Sequence, residues 1–103
     1  MLQEGMNSAD FRASLPLSAP PPELTIPVQA LWWDAKGDWA RAHSLVDSLD
    51  TPDGMAVHAY LHRKDGEEWN ANYWYNRAGR RFRRPALDEE WEALVEGLLG
   101  GER

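Results

Sequence analysis

A chain of 103 residues is long enough for one domain core, and its net charge of −6 excludes a general attraction to phosphate backbones. The absence of cysteine excludes disulfides and thiolate metal sites and suits a reducing, cytoplasmic setting. Six tryptophans, each able to bury about 150–250 Å², let so short a chain build its core from few, large side chains.

Residues 1–22 read as a loosely held N-terminal arm. Residues 1–18 lack the basic start and apolar run of a signal peptide. Within the arm, residues 8–15 have the pattern of a short helix with Phe11 and Leu15 on one side, which Pro16 stops. The run Ser18-Ala19-Pro20-Pro21-Pro22 then makes a stiff, extended connector.

Residues 23–103 read as a single helical-repeat domain. Its first helix begins near Thr25, an N-cap followed by Pro27 in the first turn, and carries Val28, Leu31, Trp32 and Ala35 on one face. Gly37 ends it and Asp38 caps the second, whose stripe is Trp39, Ala42, Leu45, Val46 and Leu49. Thr51 and Pro52 start the third, with Val57, Tyr60, Leu61 and Lys64 on its inner face. The fourth spans about residues 67–78, with Ala71, Trp74, Tyr75 and Ala78 inward, and Gly79 terminates it. A last helix over residues 87–99 turns Trp91, Leu94, Val95 and Leu98 inward and its glutamates to water. No segment alternates with period two for long, so the predicted class is all-α. No apolar stretch approaches the roughly 20 residues of a membrane span.

Two of these segments are near-copies 29 residues apart. Val28, Ala30 and Gly37 fall on Val57, Ala59 and Gly66, and an alanine follows each glycine by five residues, Ala42 and Ala71. The offset divides the domain into repeat 1 (residues 25–50), repeat 2 (residues 51–79) and a capping helix (residues 87–99). The run Gly37-Asp38-Trp39-Ala40-Arg41-Ala42 resembles the inter-helix turn of a tetratricopeptide repeat, and residues 70–79 resemble the second helix of a Sel1-like repeat. With its Trp-Trp and Tyr-Trp-Tyr segments the chain also resembles short bacterial proteins of unassigned role. The resemblance covers about residues 25–79 and implies two stacked helical hairpins that recognise a peptide or protein without catalysis. The period is shorter than the roughly 34 residues of a tetratricopeptide unit, and two units stand where three are normally needed. The arm and last helix must then supply the missing burial, or the protein forms a homodimer through an open end.

In such a stack the first helix of each unit lines the concave side, as the resemblance implies. Repeat equivalence pairs Gln29 with His58 and Trp33 with His62, each pair spaced i, i+4 along its helix. Trp32 and Trp33 differ by about 100° around the helix, so one of them stays partly accessible, and Trp33 is assigned that place. The expected partner-binding set is therefore Gln29, Trp33, His58 and His62, with Asp34 and Arg63 as neighbours and Asn72 or Arg77 from the following helix. In one variant the arm, with Pro20-Pro21-Pro22, lies across this groove.

His58 and His62 also have the i, i+4 spacing that shares a metal ion on one helix. Ala59 stands where a zincin glutamate belongs, and no third ligand is local; the fold would have to bring in His43 or Asp34. No metal or other cofactor is assigned on this ground. A small-ligand or metal-dependent protein using His58 and His62 remains the alternative to partner recognition. Neither phosphate-binding nor nucleophile-elbow motifs occur, so an enzyme is not expected. Arg77, Arg80, Arg81, Arg83 and Arg84 precede Asp88, Glu89, Glu90, Glu92 and Glu96, a pattern of neighbours that neutralise one another across a turn rather than a nucleic-acid surface.

Overall fold

The computed structural model describes residues 6–80 and 85–99. Among the described residues there are six helices and no strand: α1 (Ser8–Ala13), α2 (Ile26–Ala35), α3 (Trp39–Val46), α4 (Pro52–Lys64), α5 (Glu68–Ala78) and α6 (Leu87–Leu99). The all-α class expected from periodicity holds. None of these helices is long and apolar enough to cross a membrane.

The helix boundaries follow from local chemistry. The Thr51 side chain accepts a hydrogen bond from Gly54 N–H and Pro52 fills the first turn of α4, where a missing N–H does no harm. The Asp38 side chain accepts from Arg41 N–H at the start of α3. Two turns join α2 to α3 and α4 to α5, and their geometry is the same at the 29-residue offset. Gly37 (φ 88°) donates to Asp34 O and Asp38 N–H to Trp33 O; Gly66 (φ 81°) donates to Arg63 O and Glu67 N–H to His62 O. Both glycines adopt a left-handed backbone that a side chain would strain.

α4 is the central element. It packs against α2, α3, α5 and α6, and every residue from Gly54 to His62 is buried. A helix surrounded on all sides carries no single apolar stripe, and so α4 buries more than the four positions its periodicity selects. Lys64 and Ala35, placed on inner faces by spacing, are exposed because each lies in the last turn of its helix, at the edge of the packing. α6 crosses α2 and α4, and the Trp91 indole N–H donates to Leu31 O (3.1 Å).

Three expectations are corrected. The first is the loosely held arm. Over residues 8–15 the chain is anchored: Phe11 is fully buried against Trp91, ring centroids 5.7 Å apart, and the Ser14 hydroxyl accepts from the buried Trp32 indole (3.0 Å). Arg12 pairs with Glu92, and Lys36 donates to the carbonyls of Leu15 and Leu17. Large apolar area drives this docking onto α6 and the end of α2.

The second concerns the glutamates of α6. Glu90 is buried, because its carboxylate accepts from Arg63 (2.8 Å) and from the Tyr75 hydroxyl. The third concerns the arginine-rich stretch. Arg77 and Arg80 pair with Asp50 and Asp53 beside the start of α4, not with the acids of α6. Arg81, Arg83 and Arg84 lie outside the described residues.

Candidate metal centre

Three imidazoles converge where α3 meets α4. His43 stands one turn after Trp39 on α3; His58 and His62 stand one turn apart on α4. Their ring centroids form a near-equilateral triangle: 4.8 Å from His43 to His58, 5.1 Å from His43 to His62 and 4.8 Å from His58 to His62. One candidate ligand atom from each ring lies within 4.8 Å of the other two, and the Nε2 atoms of His43 and His58 are 3.1 Å apart. A tetrahedral ion with Zn–N bonds near 2.0–2.1 Å needs donor nitrogens roughly 3.3 Å from one another. The His43–His58 pair, which also makes a hydrogen bond, is close to that spacing; the full set, within 4.8 Å, has to draw in by up to about 1.5 Å to enclose an ion.

Aromatic neighbours set the ring planes. The Trp39 indole stacks on His43 at 4.8 Å with 7° between planes, and its N–H donates to Leu61 O (2.8 Å), which fixes it across the α3–α4 seam. Trp74 of α5 stacks on His58 at 4.2 Å. Such packing limits how far the ring planes can turn.

Protonation favours ligation. Burial, and then the neighbouring His43 and His62, hold His58 well below its ordinary value of 6.5, at about 4, against the opposing pull of Asp47. His58 is therefore neutral at pH 7, the form in which imidazole binds metals. His62 Nδ1 lies 2.8 Å from Glu67 Oε1. Hydrogen bonds from Asn70 and then His62 keep the Glu67 carboxyl below its usual range, so it is ionised and accepts. In the neutral form of His62 the proton then resides on Nδ1 and Nε2 carries the lone pair, the arrangement by which a carboxylate orients a metal-binding histidine. Among the described residues, His58 Nδ1 is a buried side-chain nitrogen with no hydrogen-bond partner. Nε2 is the nitrogen that faces His43, so this unpaired Nδ1 is not itself a ligand to an ion held by the cluster.

The structure distributes the sequence-predicted site residues over several environments. His58 and His62 come together, and the third histidine that spacing on one helix did not supply arrives from α3. Asp34 does not join them. It is buried, accepting from the Tyr60 hydroxyl (3.0 Å) and from Lys64 (2.9 Å). Arg63 pairs with Glu90. Gln29 is part-buried and donates to Leu24 O. Trp33 is half-buried, as expected, edge-on to Trp32 and beneath the Arg41 guanidinium. The open hollow expected from Gln29, Trp33, His58 and His62 is corrected accordingly: both histidines are buried in a seam between hairpins. The arm docks on α6 and α2 instead of across such a hollow.

Repeat equivalence hid this cluster. It compares like positions on α2 and α4, whereas the cluster joins unlike positions, α3 of one hairpin and α4 of the next. The available signal was aromatic: Trp39 precedes His43 by one turn, so a ring was already in place to orient that imidazole. Comparison of the chain with known protein families, with curated proteins and with solved structures finds no match.

Proposed function

We propose that this protein binds one divalent transition-metal ion through His43, His58 and His62. The convergence of three imidazoles from two helices carries the reading, supported by the Glu67 contact to His62 and the neutral state of His58. An all-nitrogen donor set suits Zn²⁺, Cu²⁺, Ni²⁺ or Co²⁺; Mg²⁺ and Ca²⁺ prefer oxygen ligands. The ion would tie the α2–α3 hairpin to the α4–α5 hairpin.

The test is elemental analysis after loading with Zn²⁺ and removal of excess ion, on the intact chain and on His58→Gln and His62→Gln. One equivalent retained by the intact chain and lost from both variants, with helical circular dichroism preserved, is the expected result. No retained metal, or equal retention in the variants, overturns the reading.

A second reading, association with a protein partner or a second copy, is favoured by one observation. Trp69 and Tyr73, one turn apart on α5, are 79% and 46% exposed. The helical-repeat resemblance is compatible with this use, with the contact surface on α5 rather than on α2 and α4. Light scattering over a concentration series, comparing the intact chain with Trp69→Ser/Tyr73→Ser, tests the self-association form. A monomer at all concentrations removes it.

A further inference from the structure

We propose that Asp47 is the fourth ligand of the metal centre, so that the ion is held by three nitrogens and one carboxylate oxygen. The inference rests on the three-histidine reading above. Asp47 follows His43 by one turn at the C-terminus of α3, and its Oδ1 is 3.8 Å from His43 Nε2. That is the same nitrogen that lies 3.1 Å from His58 Nε2, so the carboxylate reaches the side of the ring on which the cluster converges.

The other nearby carboxylate is already engaged. Glu67 binds the Nδ1 side of His62 and accepts from Asn70. Asp47 is 62% exposed by its side chain, and its approach to His43 is its ion-pair contact among the described residues. Donor atoms around a tetrahedral ion stand roughly 3.3 Å apart, so Asp47, now 3.8 Å from His43 and outside the three-histidine group, would have to rotate inward on its exposed side chain to join it.

Charge argues the same way. Three neutral imidazoles leave a dication uncompensated in a largely buried seam, and one carboxylate halves that charge. The His43 side is the open side: its side chain is 24% exposed against 11% for His62. A fourth ligand is needed there if water is to be kept off the ion. Four protein donors make a closed centre, the pattern of ions that stabilise folds, whereas catalytic ions keep a position for water. Asp47 would thus decide which kind of centre this is.

The experiment uses Co²⁺ as probe on the full chain, comparing the intact protein with Asp47→Ala and Asp47→Asn by ligand-field absorption, with azide as an exogenous ligand. The intact protein should give a four-coordinate spectrum that azide leaves unchanged. Asp47→Ala should bind Co²⁺ at least about tenfold more weakly, and azide should shift its spectrum by entering the opened position. An azide-sensitive spectrum in the intact protein overturns the assignment, as does Asp47→Ala binding with unchanged affinity while His58→Gln abolishes binding. Failure of the intact chain to bind Co²⁺ at all overturns the three-histidine reading itself, a different result from either.

Discussion

Glu67 touches His62 from across the α4–α5 turn, its Oε1 2.8 Å from Nδ1, and in neutral His62 this contact holds the proton on Nδ1 and leaves Nε2 the bare nitrogen. The Gly66 turn is what returns the chain so that Glu67, five residues on, meets that ring. Glu67 is exposed, so its loss leaves packing intact. Glu67→Ala is therefore expected to weaken Zn²⁺ binding by about 10–100-fold with thermal stability of the metal-free protein nearly unchanged. Competition with a chromophoric chelator measures the first and circular dichroism the second. Unchanged affinity would leave Glu67 as a surface contact only.

The anchored N-terminal segment gives a stability prediction. Phe11 is fully buried against Trp91, and beside it Trp32 donates to Ser14. Phe11→Ala should lower unfolding stability by about 3–5 kcal/mol, the range for a buried aromatic truncated to alanine. Urea unfolding measures this. A change below about 1 kcal/mol would mean that α1 and the surface beneath it separate at little cost.

Glu90 offers a contrast within one helix turn. Its buried carboxylate accepts from both Arg63 and Tyr75, whereas Glu89 beside it is exposed. Glu90→Ala should cost about 2–4 kcal/mol, because the largely buried Arg63 and Tyr75 lose this acceptor. Glu89→Ala should fall within about 0.5 kcal/mol of the parent. Equal effects at the two positions would contradict the buried network.

The low His58 value makes stability depend on pH in a defined window. In the folded, metal-free protein His58 titrates at about 4, and in the unfolded chain at the ordinary 6.5. Between those values the unfolded chain takes up a proton that the folded protein refuses, so unfolding is favoured as pH falls. Stability from this group is full above pH 6.5, declines toward pH 4 and is level below it, with an upper bound of about 3 kcal/mol. Urea midpoints from pH 7.5 to 4 in chelator-treated protein should fall more steeply for the parent than for His58→Gln. Parallel curves would show that His58 takes up its proton as readily in the folded protein as in the unfolded chain.

Much of the helical layout was legible because it rests on contacts a few residues long. Thr51, Pro52, Asp38, Gly37, Gly66 and Gly79 each act on backbone groups within about one turn, and the helix over residues 87–99 was read to its ends. The candidate site was legible in halves. His58 and His62 share a helix, and their spacing is a local quantity; Asp47 entered no pattern and Glu67 only that of an acid at a helix start, since their contacts to the histidines depend on a turn and on a second helix. Periodicity also misjudged Glu90, because a charge that finds Arg63 and Tyr75 from two other helices is buried for reasons its own helix does not contain.

By itself, the amino-acid sequence determined the all-α class, the succession of helices after the arm and the two glycine turns set 29 residues apart, because capping and left-handed backbone conformations are decided by near neighbours. Tertiary structure alone decided that α1 docks through Phe11, that Asp34 and Glu90 are buried in polar pairs, and that His43 closes on His58 and His62. Those outcomes depend on which helix faces lie opposite one another. One helix's spacing names the face it presents, while the side chains that meet that face belong to segments many residues away.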